Sequence, residues 1–325
     1  MKLRTLALTA LISSLALAGC GTTDDPRSAE THAAGGPVSI TDSRGKEVTL
    51  DAPAERVVTL EWSVTEYVAA LGVDPIGVAD PEGYGQWGAS MKLSGDPTDV
   101  GVRTEPSVDA IAGLEPDLIL ADVSSIPEDA MEQMERIAPV AVFTSATTDD
   151  LFELVKSNQH DVATLLGKED EAAQLDEDFE QTLADAKAKV AEAGLEGAPM
   201  VFVYPLAEAN SLTFRMHGPG SAPSAVGSAI GLTDAWSKRD DEEYGISTTD
   251  VEGLRELPDD TQFLYWDDPT QDSPISTLEK NSVWTGLPFV TAGNAAAAGD
   301  GIWIYGGTVS LGAFAENVAD TITQK

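Results

Sequence analysis

Residues 149–192 read DDLFELVKSNQHDVATLLGKEDEAAQLDEDFEQTLADAKAKVAE, and this stretch decides how the rest of the chain is arranged. It contains no proline, its only glycine is Gly167, and it is rich in residues that favour helices. We therefore predict two helices that break near Gly167-Lys168. The second, from about Glu169 to Ala193, would span about 35 to 40 Å at about 1.5 Å per residue, which is enough to bridge two lobes.

Both flanks of this segment alternate short apolar runs with helical patterns, which is typical of α/β lobes. On the N-terminal side we predict strands at 57–60, 75–79, 118–121 and 140–143 and helices at 64–71, 107–114 and 127–137. On the C-terminal side we predict strands at 200–204, 211–216, 262–266 and 301–305 and helices at 222–230, 249–255 and 309–322.

The predicted fold class is α/β, with two Rossmann-like lobes joined by one long bridging helix. The lobes are residues 37–166 and 195–325, and the bridge is residues 167–194. Two lobes held apart by a helix leave a cleft between them, and clefts between domains are where small ligands usually bind.

The start of the chain has the pattern of a bacterial lipoprotein signal. Lys2 and Arg4 precede an apolar run at 6–17, which ends in Leu-Ala-Gly-Cys at 17–20. The run is shorter than the ~20 residues that a membrane span needs. We expect a signal peptide at 1–19, lipidation of Cys20, the only cysteine of the chain, and a flexible tether at 20–36.

The net charge excludes some classes of partner. Removing residues 1–19 takes away two basic residues and no acid, so the formal charge goes from −36 to −38. Nucleic acid binding needs clustered Lys and Arg, and this surface would repel it. With a single cysteine, the exported fold has no internal disulfide and depends on burial for its stability.

Two segments, one in each lobe, repeat the same order of residues. DAIAGLEPD at 109–117 leads into the strand predicted at 118, and EGLRELPD at 252–259 leads into the strand predicted at 262. Each predicts a short helix with an acid at its start. A structural explanation is open as well, because an acid at a helix N-terminus complements the helix dipole by about 0.3 to 1 kcal/mol.

Several further strings occur in a characteristic order. In the N-terminal lobe they are RVVTLEW at 56–62, LGVDPIGVAD at 71–80, Gly83-Tyr84 and VGVRTEPS at 100–107. In the C-terminal lobe they are RMHG at 215–218, VEGL at 251–254 and WIYGG at 303–307. Across residues 37–325 the chain resembles the substrate-binding lipoproteins of iron-siderophore ABC importers, which are class III periplasmic binding proteins.

The resemblance implies a binding protein and not an enzyme. It implies capture of a ferric siderophore and delivery to a permease dimer driven by a cytoplasmic ATPase, with no cofactor and no protein bond to iron. One acid on each lobe docks to the permease in that family, and by position these are Asp109 and Glu252. The family usually has Glu at both positions, so Glu105 is a second candidate in the N-terminal lobe.

The setting that follows from the resemblance and the leader is extracytoplasmic. We expect a monomer, attached only by its lipid anchor to the outer face of the cytoplasmic membrane, or on the periplasmic side where an outer membrane exists. A stiff bridging helix also predicts lobe movements of only a few degrees when ligand binds.

A bulky chelate edged with carbonyl oxygens calls for arginine forks and aromatic walls. The candidate arginines are Arg103 and Arg215; the alternatives are an ion pair of Arg103 with Glu105 and a pair of Arg215 with a nearby acid. Six aromatic residues in the last positions of predicted strands or in the loops after them are ligand-binding candidates: Trp62, Tyr84, Trp87, Trp266, Trp303 and Tyr305. Trp236 and Trp284 are expected to pack in the interior.

Other functions remain open at this point. Haem or cobalamin is an alternative cargo, with Tyr84 or His217 as an axial ligand of a haem. A zinc or manganese site is disfavoured, because only His160 and His217 lie in the expected folded part. A lipid-anchored hydrolase would use the segment from His217 to Ser221, but no Gly-x-Ser-x-Gly elbow accompanies it, and Ser221 is expected to cap the next helix.

The class of siderophore is only partly constrained by the sequence. Hydroxamate and citrate types both fit a cleft with arginines and tryptophans. A catecholate type carries more negative charge and would favour more basic residues than the chain offers.

Overall fold

The computed structural model describes residues 36–208, 211–267 and 273–324. The signal peptide expected at 1–19 and the lipid-accepting Cys20 lie outside these residues. Within them, the two larger sheets are separated along the chain by the two long helices that the sequence predicts, so the predicted fold class is confirmed.

The N-terminal lobe contains a five-stranded parallel sheet with the order β5-β4-β3-β8-β9. Four of its strands, at 57–59, 77–78, 118–122 and 140–143, are buried on both faces, as is usual in parallel sheets, whereas the edge strand at 98–99 is exposed. The strands of this half are β1 Val38–Thr41, β2 Glu47–Leu50, β3 Val57–Thr59, β4 Gly77–Val78, β5 Thr98–Asp99, β6 Gly101–Val102, β7 Glu105–Pro106, β8 Leu118–Asp122 and β9 Val140–Phe143. The helices are α1 Trp62–Ala70, α2 Pro81–Trp87, α3 Val108–Gly113 and α4 Glu128–Glu135.

The two long helices are α5 Leu151–Leu166 and α6 Glu169–Glu192. They break at Gly167, which ends α5 with a φ of 64°, a left-handed conformation that glycine adopts without a Cβ clash. The break predicted near Gly167-Lys168 is confirmed. Among the described residues no helix combines the length and the apolar character that crossing a membrane requires.

The C-terminal lobe has a mixed sheet in the order β13-β11-β10-β14-β15, with β12 paired to β10. Its strands are β10 Pro199–Glu208, β11 Ser211–His217, β12 Thr233–Asp234, β13 Ile246–Asp250, β14 Gln262–Tyr265 and β15 Ala295–Ala297. Its helices are α7 Ala222–Ala229, α8 Ser282–Thr285, α9 Pro288–Thr291 and α10 Thr308–Thr323, with single 3-10 turns at Gly253–Glu256 and Pro274–Leu278.

One hydrophobic core connects the two halves. It joins side chains from the N-terminal sheet and α1, such as Tyr67, to Phe179 on α6 and to Phe202 and Phe314 of the C-terminal lobe. Helix α10 packs along α6, so the chain ends by reinforcing the bridge. Each lobe also has a smaller core of its own.

Two predicted elements of the C-terminal lobe are wrong. The helix expected at 249–255 does not form: residues 249–250 end strand β13, which pairs antiparallel with β11 because its Thr-rich run suits a strand, and a 3-10 turn follows at Gly253–Glu256. The strand expected at 301–305 is irregular. Gly299 and Gly301 have φ values of 81° and 66°, which break an extended run, and the edge strand is instead the alanine run of β15.

The N-terminal lobe has one helix that the sequence reading missed. Helix α2 lies where Tyr84 and Trp87 were expected in a loop. Asp80 accepts a hydrogen bond from the backbone N–H of Gly83, and Pro81 occupies the first helical position, which together are a helix start signal. Trp62 is likewise the first residue of α1 and not a loop residue.

Candidate functional site

A cleft of about 370 Å³ opens between the two lobes. It brings together seven of the eight residues that the sequence predicts as ligand contacts: Trp62, Trp87, Arg103, Arg215, Trp266, Trp303 and Tyr305. The first three come from the N-terminal lobe and the others from the C-terminal lobe. The cleft is therefore shared between the lobes, although ligand contact by each residue stays a prediction.

Arg103 is held firmly on the N-terminal wall. Its Nη1 donates to both carboxylate oxygens of Glu61, at 2.7 and 2.9 Å. Its guanidinium carbon lies 4.0 Å from the ring centroid of Trp62 and 5.0 Å from that of Trp303. The ion pair considered with Glu105 is thus replaced by one with Glu61, a residue that the ligand-site prediction did not include.

Glu61 joins this cluster to the start of α1. Its carboxylate also accepts a hydrogen bond from the backbone N–H of Trp62 at 2.8 Å. Burial raises the pKa of Glu61, and the nearby Arg103 opposes that shift. The same carboxylate therefore caps a helix and anchors the arginine.

Arg215 lies on the opposite wall in a different environment. It projects from β11 beside Tyr204 of β10 and is exposed. Among the described residues it has no ion pair, so the alternative of a structural pair with a nearby acid is not observed there.

Two pairs of indole rings meet across the cleft. Trp62 and Trp303 are 4.8 Å apart between ring centroids in an edge-to-face arrangement, and Trp87 and Trp266 are 4.3 Å apart. Each pair joins a residue of one lobe to a residue of the other. Tyr204 stacks on Trp266 at 4.7 Å and is a cleft residue that sequence reasoning missed, since it lies within a strand and not after one.

The floor of the cleft contains a fixed histidine. The Phe202 carbonyl can only accept, so His217 donates to it from Nδ1 at 3.1 Å, and Nε2 accepts from the Tyr305 hydroxyl at 3.2 Å. Burial lowers the pKa of His217 to about 4 and raises that of Tyr305 to about 12. Both ring nitrogens are hydrogen-bonded, so a haem iron could bind this histidine only if one of these bonds were broken.

Tyr84 is the one predicted contact that the structure places elsewhere. It is 2% exposed, and its hydroxyl donates to the Met91 carbonyl at 2.7 Å. The prediction for Tyr84 is wrong in its placement because α2 turns this side chain into the interior. It can serve neither as a cleft wall nor as a haem ligand in this position.

Ser221 has the structural role expected of it. It is 1% exposed and accepts a hydrogen bond from the backbone N–H of Ser224 at the start of α7. Gly220 before it has a φ of 83°. The segment at 217–221 is therefore a turn into a capped helix, and it gives the hydrolase alternative no support.

A buried carboxylate outside the cleft lining ties the two lobes together. Glu66 of α1 accepts from the backbone N–H of Ser310 at 2.9 Å and from its hydroxyl at 2.5 Å. A Cβ on Gly306 would lie 2.3 Å from this carboxylate, so the close approach requires glycine. Burial raises the pKa of Glu66 to about 7. We call the Glu66–Ser310 contact the seam.

The acids proposed for docking are all exposed. Asp109 lies in the first turn of α3, and Glu105 lies in β7 of the small hairpin before it. Glu252 immediately precedes the 3-10 turn of the C-terminal lobe, 3.6 Å from the Arg255 guanidinium. The two segments that echo each other in sequence thus have different local structures, an α-helix and a 3-10 turn.

Comparisons with known proteins agree with this architecture. The iron(3+)-hydroxamate-binding protein FhuD of Escherichia coli is 26% identical over 255 residues, covering 78% of this chain and 82% of its own length. The Fe(3+)-citrate-binding protein YfmC of Bacillus subtilis is 27% identical over 304 residues, covering 93% and 91%. Both resemblances extend over most of each chain.

A solved structure is similar as well. The Fe3+-Desferal-bound siderophore-binding protein FhuD from Vibrio cholerae aligns with a TM-score of 0.73 and 28% identity, covering 83% of this chain and 98% of its own. A family model described as periplasmic binding protein matches residues 57–300. With this match and the two-lobed fold, the chain belongs to the periplasmic binding protein family.

Proposed function

We propose that this protein is the extracytoplasmic substrate-binding component of an ABC importer and that it captures a ferric siderophore in the interlobe cleft. The observation that carries the proposal is the meeting of Arg103 and Arg215, from opposite lobes, among several indole rings. Arginine forks bind the oxygens of a chelate and aromatic rings cover its apolar parts. Relatives named for ferric hydroxamate and ferric citrate support this cargo.

In this role the protein binds and performs no catalysis. The siderophore fills the coordination shell of the iron, so the Fe(III) complex is the ligand and no protein atom needs to reach the metal. The cleft side chains orient the complex, and the protein needs no cofactor of its own.

Delivery requires a permease, and Asp109 and Glu252 are our candidates for its contacts, with Glu105 as a second candidate in the N-terminal lobe. Exposed acids on both lobes suit bidentate contacts with arginines of a permease dimer. The double variant Asp109→Ala/Glu252→Ala should abolish uptake and keep the affinity for the chelate. Lost affinity would show that these residues do not act in docking.

The setting we propose is a monomer with lobes at 37–166 and 195–325, tethered through Cys20 to the outer face of the cytoplasmic membrane. Labelled palmitate should be incorporated into the chain in cells, and Cys20→Ser should remove the label. Incorporation that persists in the variant would contradict the anchor.

A panel of ligands tests the cargo. Trp62, Trp87, Trp266 and Trp303 line the cleft, while Trp236 and Trp284 lie in the core of the C-terminal lobe. Titration with ferric siderophores should quench much of the tryptophan fluorescence and leave a protected fraction. Saturable quenching by haem, cobalamin or free metal ions, with none by ferric siderophores, would overturn the proposal.

A further inference from the structure

The two arginines of the cleft do not contribute equal charge to a bound ligand. They are the only ionised side chains among the described residues that line it. Glu61 does not line the cleft but contacts Arg103 through both carboxylate oxygens. The Arg103–Glu61 pair is therefore formally neutral, and Arg215 carries the net positive charge of the cleft.

The pairing also leaves Arg103 able to bind. Glu61 occupies only Nη1, and the ring faces of Trp62 and Trp303 lie beside the guanidinium. Among the described residues, the hydrogen bonds of the Arg103 guanidinium are both made by Nη1 and none by Nε or Nη2. The arginine is fixed in orientation, neutralised in charge, and still offers donors to the cleft.

This charge balance distinguishes two kinds of ferric chelate. Three singly charged hydroxamates cancel the charge of Fe3+, whereas three doubly charged catecholates leave a trianionic complex. A cleft with one net positive charge suits a neutral or weakly anionic complex, and a second unpaired arginine would favour the trianionic one.

We propose that Glu61 is a specificity-determining residue, which neutralises Arg103 and thereby biases the cleft toward ferric chelates of low negative charge. The proposal rests on the proposed siderophore-binding function. It assigns to Glu61 a role in selecting the ligand through charge, without contact with the ligand.

The test is the ratio of two affinities, measured in wild type and in Glu61→Gln. The probes are a ferric trihydroxamate without other ionisable groups and a ferric triscatecholate of similar size. The glutamine retains an oxygen that accepts from Arg103 and from the Trp62 N–H. We expect the ratio of triscatecholate to trihydroxamate affinity to rise about tenfold, the Coulombic effect of one charge on three at about 8 Å in a water-like dielectric.

Two control variants separate charge from structure. Glu61→Asp keeps the carboxylate and should keep the wild-type ratio. Glu177→Gln changes the net charge equally at an exposed position on α6 that does not line the cleft, and should also leave the ratio unchanged. High salt should reduce the difference between Glu61→Gln and wild type.

The outcomes are distinct. If wild type binds neither probe, nor any other ferric siderophore, the proposed function itself fails. If wild type binds but Glu61→Gln changes both affinities by the same factor, Glu61 is only a structural support and the specificity proposal is overturned. A rise in the ratio for Glu61→Gln alone supports it.

Discussion

Arg103 and Arg215 face the same cleft from opposite lobes, and their surroundings are opposite. Arg103 is paired with a buried carboxylate and enclosed by two indoles, while Arg215 is exposed and has no ion pair among the described residues. The first is positioned before any ligand arrives. The second supplies net charge. The difference shows that one wall of the cleft provides a fixed shape and the other provides electrostatic attraction.

The two lobes that carry these arginines are also joined by the seam between Glu66 and Ser310. Burial raises the pKa of Glu66 from 4.5 to about 7, so the folded state holds its proton more tightly than the unfolded state. The stabilisation that protonated Glu66 provides is fully present below about pH 4.5 and is lost as the pH rises through about 7. The loss should be about 3 kcal/mol.

Chemical unfolding of wild type and Glu66→Gln between pH 4.5 and 7.5 measures this loss. The difference between the two curves isolates Glu66, because the contribution of His217, whose pKa is lowered to about 4, has the opposite slope and is common to both. A difference in unfolding free energy that does not change with pH would contradict the prediction. It would show that the pKa of Glu66 is the same in the folded and unfolded states.

The next largest effect concerns the exposed arginine. Arg215→Ala should weaken ferric chelate binding by about 1.5 to 3 kcal/mol, because it removes a charge-assisted contact. The free energy of unfolding of this variant should change by less than about 0.5 kcal/mol, because Arg215 has no ion pair among the described residues. Titration of tryptophan fluorescence measures the first quantity and chemical unfolding the second. Unchanged affinity would remove Arg215 from the site.

Arg103→Ala, unlike Arg215→Ala, should lower the free energy of unfolding. It leaves the carboxylate of Glu61 without its cationic partner, which should cost about 1 to 2 kcal/mol of unfolding free energy after allowance for partial exposure. The double variant Arg103→Ala/Glu61→Gln should recover part of the loss. A variant as stable as wild type would show that the pair is not structurally important.

The smallest effect is that of the indole beside Arg103. A double-mutant cycle with Trp303→Leu and Arg103→Ala should give a coupling of about 0.5 to 1 kcal/mol in unfolding free energy, the size of a cation–π contact. The matched cycle of Trp303→Leu with Arg215→Ala should give no coupling, because Arg103 and not Arg215 makes the cation–π contact with Trp303. Equal coupling energies in the two cycles would show that the two arginines do not differ in their interaction with Trp303.

Much of this arrangement is predictable from sequence because it depends on local patterns. The helix break at Gly167 follows from a single glycine in a long run without proline. The two arginines and most of the tryptophans in the cleft follow from their positions near the ends of apolar runs. These signals are contained within a few neighbouring residues.

The features that escaped prediction depend on partners distant in sequence. Glu61 and Arg103 are 42 positions apart in the sequence, and Glu66 and Ser310 are 244 positions apart. No local sequence pattern indicates contacts over such separations. The strand expected at 301–305 does not form. Its apolar residues line the cleft in an irregular loop, where Trp303 contacts Arg103. Tyr84 differs from its predicted place because Asp80 and Pro81 start helix α2, which turns this side chain into the interior.

The central claim is that an iron complex binds between the two arginines. The most direct test is a crystal structure of the protein with a ferric trihydroxamate, in which anomalous scattering locates the iron. We predict one iron peak in the cleft, with Arg103 and Arg215 on opposite sides of the chelate and no protein atom bound to the metal. An iron peak on the acidic surface of α6, or iron coordinated by protein side chains, would contradict the account.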